Sequence, residues 1–160
     1  MGDFDRFFEA EYRGVVRSLT LALGDPARAE DAAQNAFASA YQRWRRVGAM
    51  DRPGTWVYVV ALRSERRRLS RDRQGQESSH ADVQGDPLAD ILDGVSVMQA
   101  LAVLTPRQRC AVVLRYYSDL SVDEVARAMG CAPGTVKATV HGALRRLRVE
   151  LRDEEVAGAH

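Results

Sequence analysis

Only two cysteines and three histidines occur in the 160 residues of this chain. Cys110 and Cys131 are too few for a disulfide framework, and His80, His141 and His160 are scattered without metal-ligand spacing. A reduced cytoplasmic protein with no metal and no cofactor is the simplest expectation. No apolar run approaches the ~20 residues that a bilayer span needs, so membrane insertion is not expected. The opening MGDFDRFFEAEYR has acidic residues where a secretory signal has basic ones, which argues against export. Five prolines and twelve glycines are too few for a disordered or collagenous chain, and the 46% hydrophobic content suffices for folded cores. No Ser-His-Asp, Cys-His, paired-carboxylate or phosphate-loop constellation appears, so no catalytic residue is nominated and neither an enzyme nor a small-molecule substrate is expected. No stretch alternates with period two, and the fold class expected is all-α.

What the chain does have is segregated charge. The net charge of +1 is an average over unlike segments. Arg43, Arg45, Arg46, Arg52, Arg63, Arg66, Arg67, Arg68, Arg71 and Arg73 face only Asp51, Glu65 and Asp72 in the same interval. From Gln74 to Val103 no lysine or arginine occurs, while Glu77, Asp82, Asp86, Asp90 and Asp93 supply negative charge. The stretch from Gln74 to Gly85 is also rich in Ser, Gly and Gln and lacks periodicity, as a flexible acidic linker would.

Apolar residues at helical spacing mark the elements on either side. Phe4, Phe8, Tyr12, Val15, Val16, Leu19, Ala22 and Leu23 define a first helix that Gly24 stops. Asp25-Pro26 supplies the N-cap and first position of a second, with Ala29, Ala32, Ala33, Ala36, Phe37, Ala40, Tyr41 and Trp44 on its broad apolar side. Glu30, Asp31, Gln34 and Asn35 lie opposite. A loop from Val47 to Pro53 leads to a third helix with Trp56, Val59, Val60 and Leu62, continued by the arginines from Arg63 to Arg71. Dense like charge costs a few tenths of a kcal/mol per i, i+4 pair, a cost that a polyanion relieves. Beyond the linker, Asp86-Pro87 and Thr105-Pro106 open two more helices, the second carrying Ala111, Val112, Leu114 and Tyr117. The two halves have separate apolar sets, and separate cores are expected.

The most informative stretch is SVDEVARAMGCAPGTVKATVHGALRRLR, from Ser121 to Arg148. Ser121 and Glu124 form an S-x-x-E capping box for a helix with Val122, Val125, Ala126 and Met129 on one face. Gly130 ends it and Pro133 begins the next, the pattern of a helix-turn-helix. In the second helix Val136, Val140, Ala143, Leu144 and Leu147 form the buried stripe. Thr135, Lys137, Ala138, Thr139, His141 and Gly142 fall on the other faces, small and polar enough to enter a major groove, with Arg145 following. An αα-hairpin packed in a core satisfies the same caps, but not the cluster of Lys137, Arg145, Arg146, Arg148 and Arg152.

Taken in order, AEDAAQNAF, RPGTWVYVVALR, DPLADIL and LTPRQRCAVVLRYYSDLSVDEVARAMGCAPGTVKATVHGALRRLR resemble a bacterial extracytoplasmic-function sigma factor of the sigma-70 family, in its short actinobacterial form. The resemblance implies two small helical domains: region 2, with three or four helices over residues 3–73, and region 4, a helix-turn-helix domain over 87–152, joined by a linker at 74–86. It implies core RNA polymerase as a partner, through the β′ clamp helices and the β flap, together with promoter DNA and an anti-sigma factor. Asp31, Gln34 and Asn35 match the polymerase-binding segment, with Phe37 expected in the core. Arg52, Arg63, Arg66, Arg67, Arg68 and Arg71 match the surface that captures and melts the −10 element. Thr135, Lys137, Ala138, Thr139, His141, Gly142 and Arg145 match the −35 reading helix.

The chain departs from the family pattern at Asn35, usually acidic; at Arg63 and Arg67, usually Asn and Asp; and at Thr139 and Gly142, often basic. Gly142 implies either a close backbone approach or a weakened helix, since glycine costs about 1 kcal/mol there relative to alanine. Trp44 and Trp56 sit on apolar stripes and are expected in the core, although either ring is large enough to stack on a base. By resemblance the linker either threads through polymerase channels or is an ordinary solvated spacer. The alternatives to a sigma factor are an autonomous helix-turn-helix regulator and a sigma-like decoy that occupies polymerase without opening DNA.

Overall fold

The computed structural model describes residues 2–72 and 94–159, and every regular element among them is helical. The first half consists of α1 (Asp3–Leu23), α2 (Pro26–Gln42), the single turn α3 (Trp44–Val47) and α4 (Pro53–Asp72). The second contains α5 (Gly94–Ala102), α6 (Pro106–Val112), a π-helical turn at Val113–Tyr117, α7 (Val122–Met129) and α8 (Pro133–Gly158). The expected linker at 74–86 and the Asp86-Pro87 helix start lie outside the described residues.

The caps are where the local chemistry demands them. Gly24 takes the left-handed conformation at φ 70° and returns its N–H to the Thr20 carbonyl. Asp25 then accepts from the backbone N–H groups of Ala27 at 3.0 Å and Arg28 at 3.2 Å, which satisfies two donors that helix geometry leaves orphaned. Thr105 with Gln108, and Ser121 with Glu124, close reciprocal capping boxes. Gly130 ends α7 at φ 68°. Its missing Cβ matters twice, because the Arg66 guanidinium occupies the space a side chain would need. Gly130→Ala should therefore destabilise the chain by at least about 1–2 kcal/mol from the left-handed backbone alone, measurable by thermal or urea unfolding.

Polar ties set the packing of the first half. The Tyr58 hydroxyl, its pKa raised by burial, donates to Ser18 Oγ at 2.8 Å and joins α4 to α1. Arg28 Nε donates to Glu65 Oε2 at 3.0 Å and joins α2 to α4. Alanines at 29, 32, 33, 36 and 40 are all buried, so α2 lies close against its neighbours. Phe37 is buried as expected. Trp44 and Trp56 are half-buried and pack against the same cluster, Trp44 beside the rings of Phe4 and Phe7.

Two expectations are overturned. The halves do not have separate cores: one cluster contains Val15, Leu19, Phe37 and Val57 from the first half and Leu114, Leu120, Val125 and Val136 from the second. A smaller one joins Leu21 and Ala22 of α1 to Leu101, Leu104, Val112, Val113 and Ala143. The physical reason is that α1 and α4 are apolar on more than one side, and α6 and α7 cover what a three-helix packing leaves bare. Cys110 touches both clusters, and burial pushes its thiol up to about 12. Secondly, Tyr117 and Tyr41 are exposed rather than buried. At Tyr117 the chain has passed through the π turn, where Ser118 N–H bonds to the Val113 carbonyl five residues back at 3.0 Å. That extra residue per turn rotates Tyr117 off the apolar stripe. At Tyr41 the ring lies edge-on to Phe4 but is not roofed over.

Candidate nucleic-acid interface

The candidate surfaces occupy different parts of the molecule. On the second half, Ser121 and Gly130 fix the ends of α7, and a short turn through Cys131 and Ala132 launches α8 at Pro133. Val136 and Ala143 are fully buried, while Val140, Leu144 and Leu147 are half-buried, so the expected stripe faces inward. Thr135, Lys137, Ala138, His141 and Arg145 are exposed; Thr139 and Gly142 are partly covered. Thr139 Oγ1 donates back to the Thr135 carbonyl at 2.7 Å, which leaves its methyl available to a neighbour. A Cβ at position 142 would meet only the Gln108 side-chain amide nitrogen, at 3.4 Å, an ordinary contact, so the packing of α6 on α8 does not require glycine there.

On the first half, Arg63 and Arg67, one turn apart on α4, line a cleft of about 1050 Å³. Arg43 and Arg46 from α3 and its approach, and Arg127 from α7, converge on it, and Trp56, Val59 and Val60 supply apolar wall. Arg43, Arg46 and Arg127 were not singled out as site residues from the sequence. The first two belong to an arginine-rich run that was visible as charge, but their convergence with Arg63 depends on the turn between α3 and α4. Arg127 comes from the other half and left no local signal.

Two of the other arginines are engaged. Arg52 pairs with the Glu124 carboxylate, to which the buried Thr55 hydroxyl also donates. Arg66 donates from Nη1 to the Met129 carbonyl at 3.1 Å. Burial pushes the Glu124 carboxyl up, but hydrogen bonds from Thr55 and Ser121 and the Arg52 charge outweigh it and hold the group below the usual glutamate range. Arg68 and Arg71 lie on α4, outside the described side chains.

Asp31, Gln34 and Asn35 are exposed together on α2, with Gln34 donating to Glu30 at 3.3 Å. Gln34 also borders a groove walled by Phe4, Phe8, Tyr12, Phe37 and Tyr41. The groove was hidden in the sequence because its aromatics read as core at helical spacing. Among the described residues no cluster of His, Cys, Asp and Glu is arranged to hold a metal ion, and no helix is long and apolar enough to cross a membrane.

These features define a two-part helical protein with an exposed helix-turn-helix face on α8 and, between α4 and α7, a cleft where six arginines outnumber Asp51, Asp123 and Glu124. The family description "Sigma-70 region 2" matches residues 7–74, and "Sigma-70, region 4" matches residues 94–147. The chain is similar to the RNA polymerase sigma-E factor of Streptomyces coelicolor, with 33% identity over 153 residues, 93% of this chain and 86% of that one. It is 32% identical over 152 residues to the ECF RNA polymerase sigma factor SigL of Mycobacterium tuberculosis, covering 89% of this chain and 86% of SigL. In fold it resembles the sigma factor RpoE of Bartonella quintana, solved in complex with the anti-sigma factor NepR: TM-score 0.67, 23% identity, 95% of this chain and 98% of that one. The chain belongs to the extracytoplasmic-function sigma factors of the sigma-70 family.

Proposed function

We propose that the chain is an alternative sigma factor that binds core RNA polymerase in the cytoplasm and directs initiation at promoters with −10 and −35 elements. The observation that carries this reading is the presence, in one chain matching both sigma regions, of an exposed α8 face and of a cleft between α4 and α7 in which arginines outnumber carboxylates. Residues 3–73 act as region 2 and 87–152 as region 4, with 74–86 between them. Thr135, Lys137, Ala138, His141 and Arg145 meet base edges and phosphates of the −35 duplex, with Thr139 and Gly142 at the margin of the contact. Arg63 and Arg67 hold the backbone of the unpaired −10 strand, assisted by Arg68 and Arg71. Arg52 and Arg66 join them once released from the second half. Asp31, Gln34 and Asn35 meet the polymerase clamp helices, while the helix-turn-helix half meets the β flap. An anti-sigma factor is the expected inhibitor, and no catalysis by the chain itself is required.

Unpairing costs on the order of a few kcal/mol for each extruded base. Backbone contacts on this scale offset only part of that, and polymerase supplies the rest. The test is run-off transcription with bacterial core polymerase on a library of randomised promoters at two salt concentrations. Transcripts that depend on the chain, share a two-part motif and weaken as salt rises are expected. A chain that binds polymerase without giving transcripts would be a decoy, and one that shifts duplex DNA alone but ignores polymerase would be an autonomous regulator. Within the sigma outcome, Lys137→Ala should weaken transcription across promoter sequences and lower the salt slope by about 1, as loss of one phosphate contact does.

A further inference from the structure

The cleft between α4 and α7 has two unlike ends. Steps of three and four residues put Trp56, Val59, Val60, Arg63 and Arg67 on one face of α4, and all five line the cleft. The N-terminal part of that face is apolar, with the half-buried indole of Trp56 beside two valines. Further along it is cationic. At the rise of an α-helix, Trp56 stands ~10 Å along the axis from Arg63 and ~16 Å from Arg67. Arg43 and Arg46 join from α3 and its approach, and Arg127 from α7. Arg52 is paired with Glu124, which leaves five arginines against Asp51 and Asp123 in the lining. All five are exposed, and none forms an ion pair among the described residues.

We propose that in the free chain this cleft is a site for a nucleoside polyphosphate, with its base against Trp56 and its phosphates among Arg63, Arg67 and Arg127. Guanidinium forks match phosphate oxygens bidentately, and an aromatic side chain accepts any base by stacking. Inorganic polyphosphate satisfies only the cationic end, and a neutral nucleoside only the aromatic one. The cleft, at about 1050 Å³, is at the top of the size range of small-ligand sites, so one molecule can reach both ends. Asp51 and Asp123 oppose the phosphates, and five arginines less two carboxylates leave a margin of three charges. Binding on such a margin weakens as salt screens it. Arg63 and Arg67 are also the residues assigned to the −10 strand, so nucleotide and strand exclude each other. That competition rests on the proposed function; binding of the nucleotide does not.

The test is isothermal titration calorimetry of the full chain with ATP, tripolyphosphate and adenosine, without magnesium. One ATP per chain is expected, bound about tenfold more tightly than tripolyphosphate, with adenosine weaker still. Tripolyphosphate carries at least the charge of ATP, so the difference reports the ring. Arg127→Gln should weaken ATP about tenfold. Trp56→Leu should bring ATP down to the level of tripolyphosphate and leave tripolyphosphate unchanged, a split that general loss of structure does not produce. Absence of ATP binding, equal affinity for ATP and tripolyphosphate, or an ATP affinity unmoved by Arg127→Gln would each overturn the proposal. If Trp56→Leu loses helix content by circular dichroism, Arg127→Gln and the wild-type comparison of the three ligands decide. The titration uses the chain alone and run-off transcription decides the sigma reading, so either can fail without the other.

Discussion

Arg63→Glu combined with Arg67→Glu should reduce run-off transcription on the order of a hundredfold while leaving competition for core polymerase unchanged. The two side chains project from one face of α4 into the cleft that Arg43, Arg46 and Arg127 also enter. Positions four apart on a helix are neighbours, so these charges repel until a polyanion is bound, and binding gains both the new attraction and relief of the old repulsion. Reversal makes the same pair repel a phosphate backbone. Polymerase binding should be spared, since the residues proposed for it, Asp31, Gln34 and Asn35, are not among those that line the cleft. The milder Arg63→Gln and Arg67→Gln pair should lower the salt slope for single-stranded DNA by about 1.4, since each lost contact releases about 0.7 counterions fewer. Unaltered transcription together with an unaltered slope would mean that the strand takes another path.

The second large effect concerns stability. Glu124→Ala strands the buried Thr55 hydroxyl, worth about 1–3 kcal/mol. It also removes half of the α7 capping box, at about 1 kcal/mol. The Arg52 pair adds at most ~1 kcal/mol, because the guanidinium is 53% exposed and screened by solvent. A total loss of roughly 3 kcal/mol should lower the melting temperature by about 6–12 °C for a chain of this size. Glu124→Gln should recover most of that, since the amide oxygen still accepts. The pH dependence follows from the depressed pKa of the wild-type carboxyl. Its stabilisation is fully present above the ordinary glutamate value and is lost as pH falls through the lower, folded-state value. The gap between wild type and Glu124→Gln should therefore close in acid.

The capped helix ends were legible in the sequence because they are set by short-range chemistry, whereas the break after Gln42 that puts Trp44 on the separate turn α3, and Val47 in that turn rather than in a loop, was not. Asp25, Thr105 and Ser121 cap within three residues, and Gly24 and Gly130 adopt a backbone that other residues resist. The buried stripe of α8 was legible for the same reason, being a periodicity within one element. What one element could not reveal was the company it keeps. Tyr41 and Phe8 satisfied the apolar spacing of a core, yet both stay exposed among the described residues. The π turn at Val113–Tyr117 has no composition of its own and shifted Tyr117 by one position. Arg52 and Arg66 read as members of a uniform basic surface. Their partners, Glu124 and the Met129 carbonyl, lie 72 and 63 residues further along, and no local pattern encodes a contact at that range.

The clasp of Arg66 over Gly130 also bears on how such a chain can evolve. The Arg66 guanidinium fills the space that a side chain at position 130 would need, so a change at 130 is open only after a shorter residue has replaced Arg66, and the left-handed backbone still opposes it.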